Sequence, residues 1–369
     1  MTDFAKRVTS IDISGIRKMF ESAAPGSINM GLGQPDFDTP ENIKKAAVRA
    51  LAEGKTGYTN NAGIDELRAA ITVKLKKEND LTFDPSNILI TAGGSGALHA
   101  SIFSLIENGQ KVVFNNPGFV SYGSLATLAG GVPDPVPLRQ DLHLDVEALK
   151  EHFSDKKTKV MVLNSPANPT GAVETKETIK AVVESAADYG VTVLSDEVYE
   201  KFCYGDAKFV SAAMFGDNVV TINAASKTYA MTGWRIGFMA ASREIIDQAV
   251  KVQQYSLACP TSIAQYAALE AYTGDQSSIG VMKKEYEARR NLVIKGLRDI
   301  GISVSMPEGA FYAFPKLDLD TVMKIVAAGV IITPGGAFGT KGVGYARLSY
   351  ATSQENIKIA LDRIKKVVE

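Results

Sequence analysis

The chain has 369 residues, of which 45% are hydrophobic and 22% charged, as is ordinary for a globular protein with a large core. Its 40 basic and 41 acidic side chains are interspersed and leave a net charge of −1, which argues against nucleic acid and membrane surfaces as partners. No stretch approaches the ~20 apolar residues of a membrane helix, and the first residues lack the apolar core of a signal peptide. Cys203 and Cys259 lie far apart and favour reduced thiols, so we expect a cytoplasmic protein.

Two amphipathic helices are predicted first. Residues 39–54 have apolar side chains at helical spacing, with Thr39 as the predicted N-cap, Pro40 in the first turn and Gly54 at the end. Residues 64–78 repeat the pattern, with one apolar face formed by Ile64, Leu67, Ile71 and Leu75.

Short apolar runs then alternate with helical stretches. The runs lie at 88–91, 111–115, 159–163, 191–195 and 219–223. The helical stretches lie at about 95–106, 119–129 and 174–189. Because the runs are continuously apolar and separated by helices, they predict an α/β fold with a mostly parallel sheet covered on both faces.

The pattern changes from about residue 242. Three helices are predicted at 243–257, 262–272 and 278–299. Short strands near 302–306, 311–314, 330–333 and 345–350 follow, and a closing helix at 354–368. We therefore expect a large α/β domain over 39–276 and a smaller α+β domain over 277–369, to which the N-terminal arm 1–38 contributes.

The strongest local signal for chemistry is Ser226-Lys227, just past the apolar run 219–223. A lysine brought close to apolar surroundings has a lowered pKa and becomes a usable amine nucleophile. Arg235, eight residues on, could supply a fixed cation for a phosphate. Most lysines are solvated loop residues, but the small residues before Lys227 and the Gly-x-Arg-x-Gly pattern beyond it favour a chemical role.

Polar residues follow two other predicted strands. Asp196 and Tyr199 come at the end of the run 191–194, and Asn168 follows the run 160–163 within Asn-Pro-Thr-Gly. Ligands gather at the carboxyl ends of parallel strands, so these side chains are candidates for ligand contacts. A helix N-cap for Asp196 and a simple turn at Asn168 remain alternative interpretations.

Glycines between a predicted strand and helix, Gly93-Gly94-Ser95-Gly96, leave backbone N–H groups free for a phosphate. The dinucleotide-binding pattern is incomplete, because His99 occupies the place of its third glycine. The three histidines lack the spacing of metal ligands, so no metal site is predicted.

Together these residues resemble the class I/II aminotransferases of fold type I in the aspartate aminotransferase superfamily, which depend on pyridoxal 5′-phosphate (PLP). The resemblance covers nearly the whole chain and keeps the order of eight motifs. They are Gly33-Gln34-Pro35-Asp36-Phe37, Tyr58-Thr59, Gly93-Gly94-Ser95, Pro117-Gly118-Phe119, Asn168-Pro169-Thr170-Gly171, Asp196-Glu197-Val198-Tyr199, Ser226-Lys227 with Arg235, and Arg347-Leu348-Ser349-Tyr350. The family has a large domain with a mostly parallel seven-stranded sheet and a smaller α+β domain, and this chain is expected to share them.

The resemblance implies a role for each catalytic residue. Lys227 would hold PLP covalently and move the proton at the substrate α-carbon. Asp196 would keep the pyridine nitrogen protonated, which strengthens the ring as an electron sink. Asn168 and Tyr199 would bind the ring hydroxyl, and Phe119 would stack on the ring face.

The resemblance also implies how phosphate and substrate are held. The phosphate would be bound by Gly94, Ser95, Ser226 and Arg235, together with Tyr58 of a neighbouring subunit, so a homodimer is expected. Arg347 would grip the α-carboxylate of the substrate in a bidentate fork, assisted by Asn168 and the backbone of Gly33.

Two departures from the family pattern leave the substrate open. Ala224 replaces a hydroxyl residue that many members use on the phosphate. Ser95 replaces a lysine that some aspartate-preferring members use on the distal carboxylate of the substrate, unless Arg17 or Lys18 substitutes for it. Aspartate and aromatic or broad donors therefore both remain, with a 2-oxo acid such as 2-oxoglutarate as acceptor.

Two other functions fit the same residues. A PLP-dependent β-lyase or an aminocyclopropane-carboxylate synthase would use the same fold and lysine. A non-catalytic ligand-sensing module of a transcription regulator would carry an extra DNA-binding region, and the stretch before Gly33 has no room for one.

Overall fold

The computed structural model describes residues 3–13, 15 and 24–369. Its centre is a seven-stranded sheet in which six strands are mostly buried and one edge strand, Val132–Pro137, is largely exposed. The strands are β2 (Ile88–Thr91), β3 (Lys111–Asn116), β4 (Val132–Pro137), β5 (Thr158–Asn164), β6 (Thr192–Asp196), β7 (Val219–Ala224) and β8 (Gly237–Ala240). They lie in the order β2-β8-β7-β6-β5-β3-β4, and β8 alone runs antiparallel to its neighbours. The predicted fold class is confirmed.

Two strands of this sheet were not predicted. β4 carries Pro133, Pro135 and Pro137, and because proline cannot donate to a ladder, such a strand is tolerated only at an edge. β4 is the edge strand beside β3. β8 begins at Gly237, where an added Cβ would lie 2.7 Å from the carbonyl oxygen of Asn223.

Helices cover the sheet on both faces. In the first part of the described chain they are α1 (Lys6–Thr9), α2 (Glu41–Ala52), α3 (Asp65–Asn79), α4 (Gly93–Leu105), α5 (Ser121–Leu128), α6 (Val146–Phe153), α7 (Lys176–Asp188) and α8 (Ala225–Thr228). The predicted apolar face of α3 is buried throughout. The prediction that Thr39 caps α2 is wrong: Pro40 is the N-cap, and the Thr39 hydroxyl instead donates to the carbonyl of Ala230 at 2.9 Å.

Four of the five remaining helices follow the predicted bounds closely. The five are α9 (Arg243–Leu257), α10 (Ser262–Thr273), α11 (Ser277–Asp299), α12 (Leu319–Ala327) and α13 (Gln354–Val368), of which only α12 was not predicted. None of the helices in the described part of the chain is long and apolar enough to cross a membrane.

Short strands pack against these helices. β1 (Ile28–Asn29) pairs in parallel with β10 (Val330–Ile331), and β11 (Thr333–Pro334), β12 (Ala346–Ser349) and β9 (Tyr312–Ala313) form an antiparallel sheet. The prediction of a strand near 302–306 is wrong, because these residues form no strand. Ile302 and Val304 are buried in alternation as a strand would bury them, but none of the strands in the described residues pairs with this segment.

β1 pairs with β10, and the carbonyl of the residue after β1, Met30, accepts a hydrogen bond of 2.7 Å from the backbone N–H of Ser349 in β12. β1 and β12 share one apolar core with α11, α12 and α13. The domain division at residues 38/39 and 276/277 stays a prediction.

Candidate active site

A cavity of about 250 Å³ opens where β5, β6 and β7 end and α4 begins. It is lined by all but one of the side chains and glycines predicted for the site, namely Gly33, Gly94, Ser95, Phe119, Asn168, Asp196, Tyr199, Ser226, Lys227, Arg235 and Arg347. The exception is Tyr58, which is 92% exposed and lies outside this cavity. The carboxyl ends of the parallel strands therefore bring together residues that are far apart in the sequence.

Lys227 lies in the short helix α8, directly after β7. Its Nζ donates a hydrogen bond of 2.6 Å to the carbonyl of Gly33 and lies 5.9 Å from the ring centre of Tyr199. Burial of the ammonium, together with the positive charges of Arg347 and Arg235, lowers the pKa of Lys227 to about 8, although the negative charge of Asp196 opposes the shift. At that pKa an appreciable fraction of the side chain is a free amine near neutral pH, as a nucleophile requires.

Asp196 ends β6 and is buried. Its Oδ2 accepts a hydrogen bond of 2.8 Å from the hydroxyl of Tyr122, whereas its Oδ1 has no hydrogen-bond partner among the described residues. Burial raises the pKa of Asp196 to about 6, while the bond from Tyr122, the Val198 backbone N–H and the charge of Lys227 oppose the rise. The free oxygen can therefore accept from a protonated ring nitrogen placed in the cavity.

The backbone around Asp196 is fixed by Asn164 at the end of β5. The amide of Asn164 donates to the Asp196 carbonyl at 2.9 Å, and its Oδ1 accepts from the backbone N–H of Asn168 at 2.8 Å. One buried side chain thus sets the relative position of two predicted site residues.

A positively charged corner lies at the start of α4. The guanidinium of Arg235 donates to the carbonyls of Thr232 at 2.9 Å and Ala92 at 3.3 Å. Gly93 has a φ of +73°, which favours glycine, and a Cβ there would lie 2.8 Å from Arg235 Nη2. The free N–H groups of the helix and the adjacent guanidinium together fit a phosphate group.

Arg347 on β12 is 1% exposed. Its Nη1 donates to Asn168 Oδ1 at 2.9 Å and its Nη2 to the carbonyl of Gly31, while its Nε has no partner within the described residues. In that same part of the chain no carboxylate lies within ion-pair distance of it. Because a buried guanidinium needs an anionic partner, Arg347 fits a carboxylate ligand. Gly33, which the resemblance implies as a substrate contact beside Arg347, lines the same cavity, and its carbonyl accepts from Lys227.

Two aromatic residues of the site were not predicted. Tyr122 lies in the first turn of α5, three residues after Phe119, and both residues line the cavity. Tyr312 on β9 shares a hydrogen bond of 2.7 Å between its hydroxyl and that of Tyr199, and it lies under the guanidinium of Arg347 at 4.6 Å. Burial raises the pKa of Tyr199 and that of Tyr312, so both hydroxyls stay protonated. An aromatic residue in a short strand before Arg347 was the available signal for Tyr312.

These groups fit the cofactor that the resemblance implies. Lys227 would supply the amine for its aldehyde, the free oxygen of Asp196 would accept from its ring nitrogen, and Arg235 with the start of α4 would hold its phosphate. Phe119 borders the same space, with its ring centre 5.6 Å from that of Tyr122.

Comparison with known proteins identifies the family. The family model for aminotransferase class I and II matches residues 25–364. A probable aspartate aminotransferase of Methanocaldococcus jannaschii is 46% identical, over 99% of this chain and 100% of the relative, and an aromatic-amino-acid aminotransferase of Thermococcus litoralis is 41% identical, over 98% and 97%. The structure of Thermus thermophilus aspartate aminotransferase with maleate superimposes with a TM-score of 0.95 and 34% identity over 100% of both chains. The chain therefore belongs to the class I and II aminotransferases, a family of PLP-dependent enzymes.

Proposed function

We propose that this enzyme moves the α-amino group of an L-amino acid to a 2-oxo acid such as 2-oxoglutarate, with aspartate or an aromatic amino acid as donor. The observation that carries the proposal is the meeting of Lys227, Asp196 and Arg347 in one cavity. An amine can bind the cofactor aldehyde, a buried carboxylate can pair with the ring nitrogen, and a buried guanidinium can bind the carboxylate of an amino acid.

We assign substrate binding to Arg347. Its planar fork matches a carboxylate, and burial strengthens the attraction because little water screens it. Asn168 orients the guanidinium through Nη1, and the rings of Tyr312 and Phe338 lie 4.6 and 4.7 Å from Cζ. The amino acid is thereby held with its α-carbon towards Lys227.

Lys227 is assigned the proton transfer at the α-carbon. Bound PLP supplies an electron sink for the electrons released there. With a pKa lowered to about 8, Lys227 can take up a proton and return it near neutral pH. Asp196 would hold the proton of the ring nitrogen, and Tyr199 with Asn168 would contact the ring hydroxyl.

The side chain of the donor has space in an adjoining cavity of about 630 Å³, which shares Ser95 and Phe119 with the first one. Apart from Asp12, the described residues that line it are uncharged, and they include the rings of Phe114 and Phe338. This lining supports an aromatic donor. Arg17 and Lys18, the other cations considered for a dicarboxylate, lie outside the described residues.

We also propose that the enzyme is a cytoplasmic homodimer. Tyr58 is almost fully exposed, so a contact from it to a phosphate would have to be made in a second copy of the chain. Cys203 and Cys259 are both free, which is in keeping with a reducing compartment.

Single-turnover spectroscopy tests this function. Enzyme loaded with PLP is mixed with one amino acid at a time and no oxo acid, and the absorbance of the lysine-bound cofactor is followed. We expect stoichiometric conversion to pyridoxamine phosphate, with phenylalanine and tyrosine compared against aspartate and glutamate. A lysine-bound band that persists while ammonia and pyruvate accumulate would make the enzyme a lyase and contradict the proposal.

A further inference from the structure

The segment Gly31–Thr39, which connects β1 to α2, brings two carbonyl groups into the active site. The carbonyl of Gly31 accepts a hydrogen bond from Arg347, and that of Gly33 accepts one of 2.6 Å from Lys227. No side chain fits at Gly33, because an added Cβ would lie 1.9 Å from the Tyr312 hydroxyl. The position of this backbone therefore determines the acceptors of two cations of the site.

The middle of the segment is held by Arg289 of α11. Its Nη1 donates to Asp36 Oδ1 at 2.7 Å, and its Cζ lies 5.1 Å from the ring centre of Phe37. Its Nε donates to Glu285 on the same helix at 2.8 Å. The Arg289 side chain is only 6% exposed, so its charge needs both carboxylates.

The far end of the segment also reaches the site. The hydroxyl of Thr39 donates to the carbonyl of Ala230 at 2.9 Å and accepts from Trp234 Nε1 at 3.0 Å. Ala230 and Trp234 belong to the loop between Lys227 and Arg235. Both ends of the segment are thus bonded to catalytic elements, and Arg289 holds it from outside the cavity.

We propose that Arg289 is a positioning residue, which holds the Gly33 carbonyl against Lys227 through Asp36 and Phe37. The inference rests on the proposed function, since it assigns the cofactor to Lys227. A carbonyl that accepts from an ammonium stabilises its charged form, so displacing Gly33 should make Lys227 easier to deprotonate. A displacement of about 1 Å can also cost on the order of 100-fold in rate.

Two variants break this connection in different ways. Asp36→Asn removes the negative charge of Asp36 and leaves Arg289 its hydrogen bond to Glu285. Arg289→Gln removes the positive charge of Arg289. Asp38→Asn on the same segment is the matched control: it breaks an ion pair of 2.6 Å with Lys44 of α2, and the side chains of Asp38 and Lys44 are 78% and 37% exposed. Such surface pairs contribute little.

The measurement is the rate at which the apoenzyme captures PLP between pH 6 and 10, because only the free amine of Lys227 reacts. We expect the midpoint of this profile to move down by about half a pH unit in Asp36→Asn and Arg289→Gln. We also expect kcat/KM to fall about tenfold or more, with Asp38→Asn unchanged. A purely structural role would lower the melting temperature without moving the midpoint.

The outcomes separate the two proposals. If Arg289→Gln fails to fold, Asp36→Asn decides, since Asp36 keeps 32% of its side chain exposed. An Asp36→Asn enzyme with the wild-type midpoint and wild-type kcat/KM would overturn the inference. A wild-type enzyme that transfers no amino group would refute the proposed function instead, and the capture midpoints would still decide the role of Arg289.

Discussion

The hydroxyl of Tyr122 donates a hydrogen bond of 2.8 Å to Oδ2 of Asp196, and this is the one side-chain hydrogen bond that the carboxylate receives in the described part of the chain. Burial raises the pKa of Asp196, and the bond from Tyr122 is the largest of the influences that lower it again. Tyr122 therefore helps Asp196 to remain ionised, and only the ionised form can pair with a protonated ring nitrogen.

Replacing Tyr122 by phenylalanine should raise the pKa of Asp196 further. The ionised form would then be lost at a higher pH than in the wild type, so the acid limb of the activity profile should move upward. Hydrogen bonds to charged groups contribute about 1.5–3 kcal/mol, which predicts a loss of about tenfold or more in PLP affinity near pH 6.

Titration of the apoenzyme with PLP at several pH values checks this expectation. The exposed Tyr189 provides the control, and Tyr189→Phe should bind PLP as the wild type does. Equal affinities for Tyr122→Phe and the wild type across this range would exclude the tuning role.

The ionised carboxylate of Asp196 should lower the folding stability of the apoenzyme at neutral pH. Its pKa rises from 3.8 in the unfolded chain to about 6 in the folded protein, so the folded state binds this proton more tightly. The stability contribution of the protonated acid is complete below about pH 4, falls as the pH rises through about 6, and stays lost above that value.

Asp196→Asn should therefore stabilise the apoenzyme by about 1–3 kcal/mol at pH 7.5 and have little effect near pH 4. The same variant should lose amino transfer. Thermal melting at both pH values measures the difference, with the exposed Asp206→Asn as control. A destabilised Asp196→Asn apoenzyme at pH 7.5 would show that hydrogen bonding of the carboxylate outweighs its burial.

Arg347→Lys should separate substrate binding from cofactor binding. Lysine keeps the charge but loses the fork, and it leaves Asn168 Oδ1 and the Gly31 carbonyl without their present donors. Truncating one partner of a buried charged pair costs about 2–5 kcal/mol, so KM should rise at least tenfold for both the amino acid and the oxo acid.

Steady-state kinetics and the spectrum of the lysine-bound cofactor test this prediction together. The spectrum should be unchanged, because Arg347 does not hold the cofactor. Arg49→Lys, on the exposed side of α2, is the control. An unchanged KM in Arg347→Lys would assign the α-carboxylate to another residue.

The sequence was sufficient to predict the apolar strands β3, β5, β6 and β7 and the polar residues that follow them. Asp196 and Asn168 follow continuous apolar runs, and a buried parallel sheet places the ends of such runs together. β4 escaped prediction because three prolines in six residues contradict the usual composition of a strand, although they are compatible with an edge.

Contacts between distant segments could not be predicted in this way. Tyr122 and Asp196 are separated by 74 residues, and neither segment shows a pattern that specifies the other as a partner. Thr39 has the residue type and position of an N-cap, but its hydroxyl gains two tertiary hydrogen bonds, to Ala230 and from Trp234. Tertiary bonding therefore overrode a local preference.

The central claim is that Lys227 carries the cofactor, and chemical trapping tests it most directly. Enzyme loaded with PLP is reduced with borohydride, digested and analysed by mass spectrometry, with Lys227→Ala treated in parallel. The account predicts one phosphopyridoxyl group per chain on the peptide that contains Lys227, and none in the variant. A label on a different lysine, or an equal label in Lys227→Ala, would contradict it.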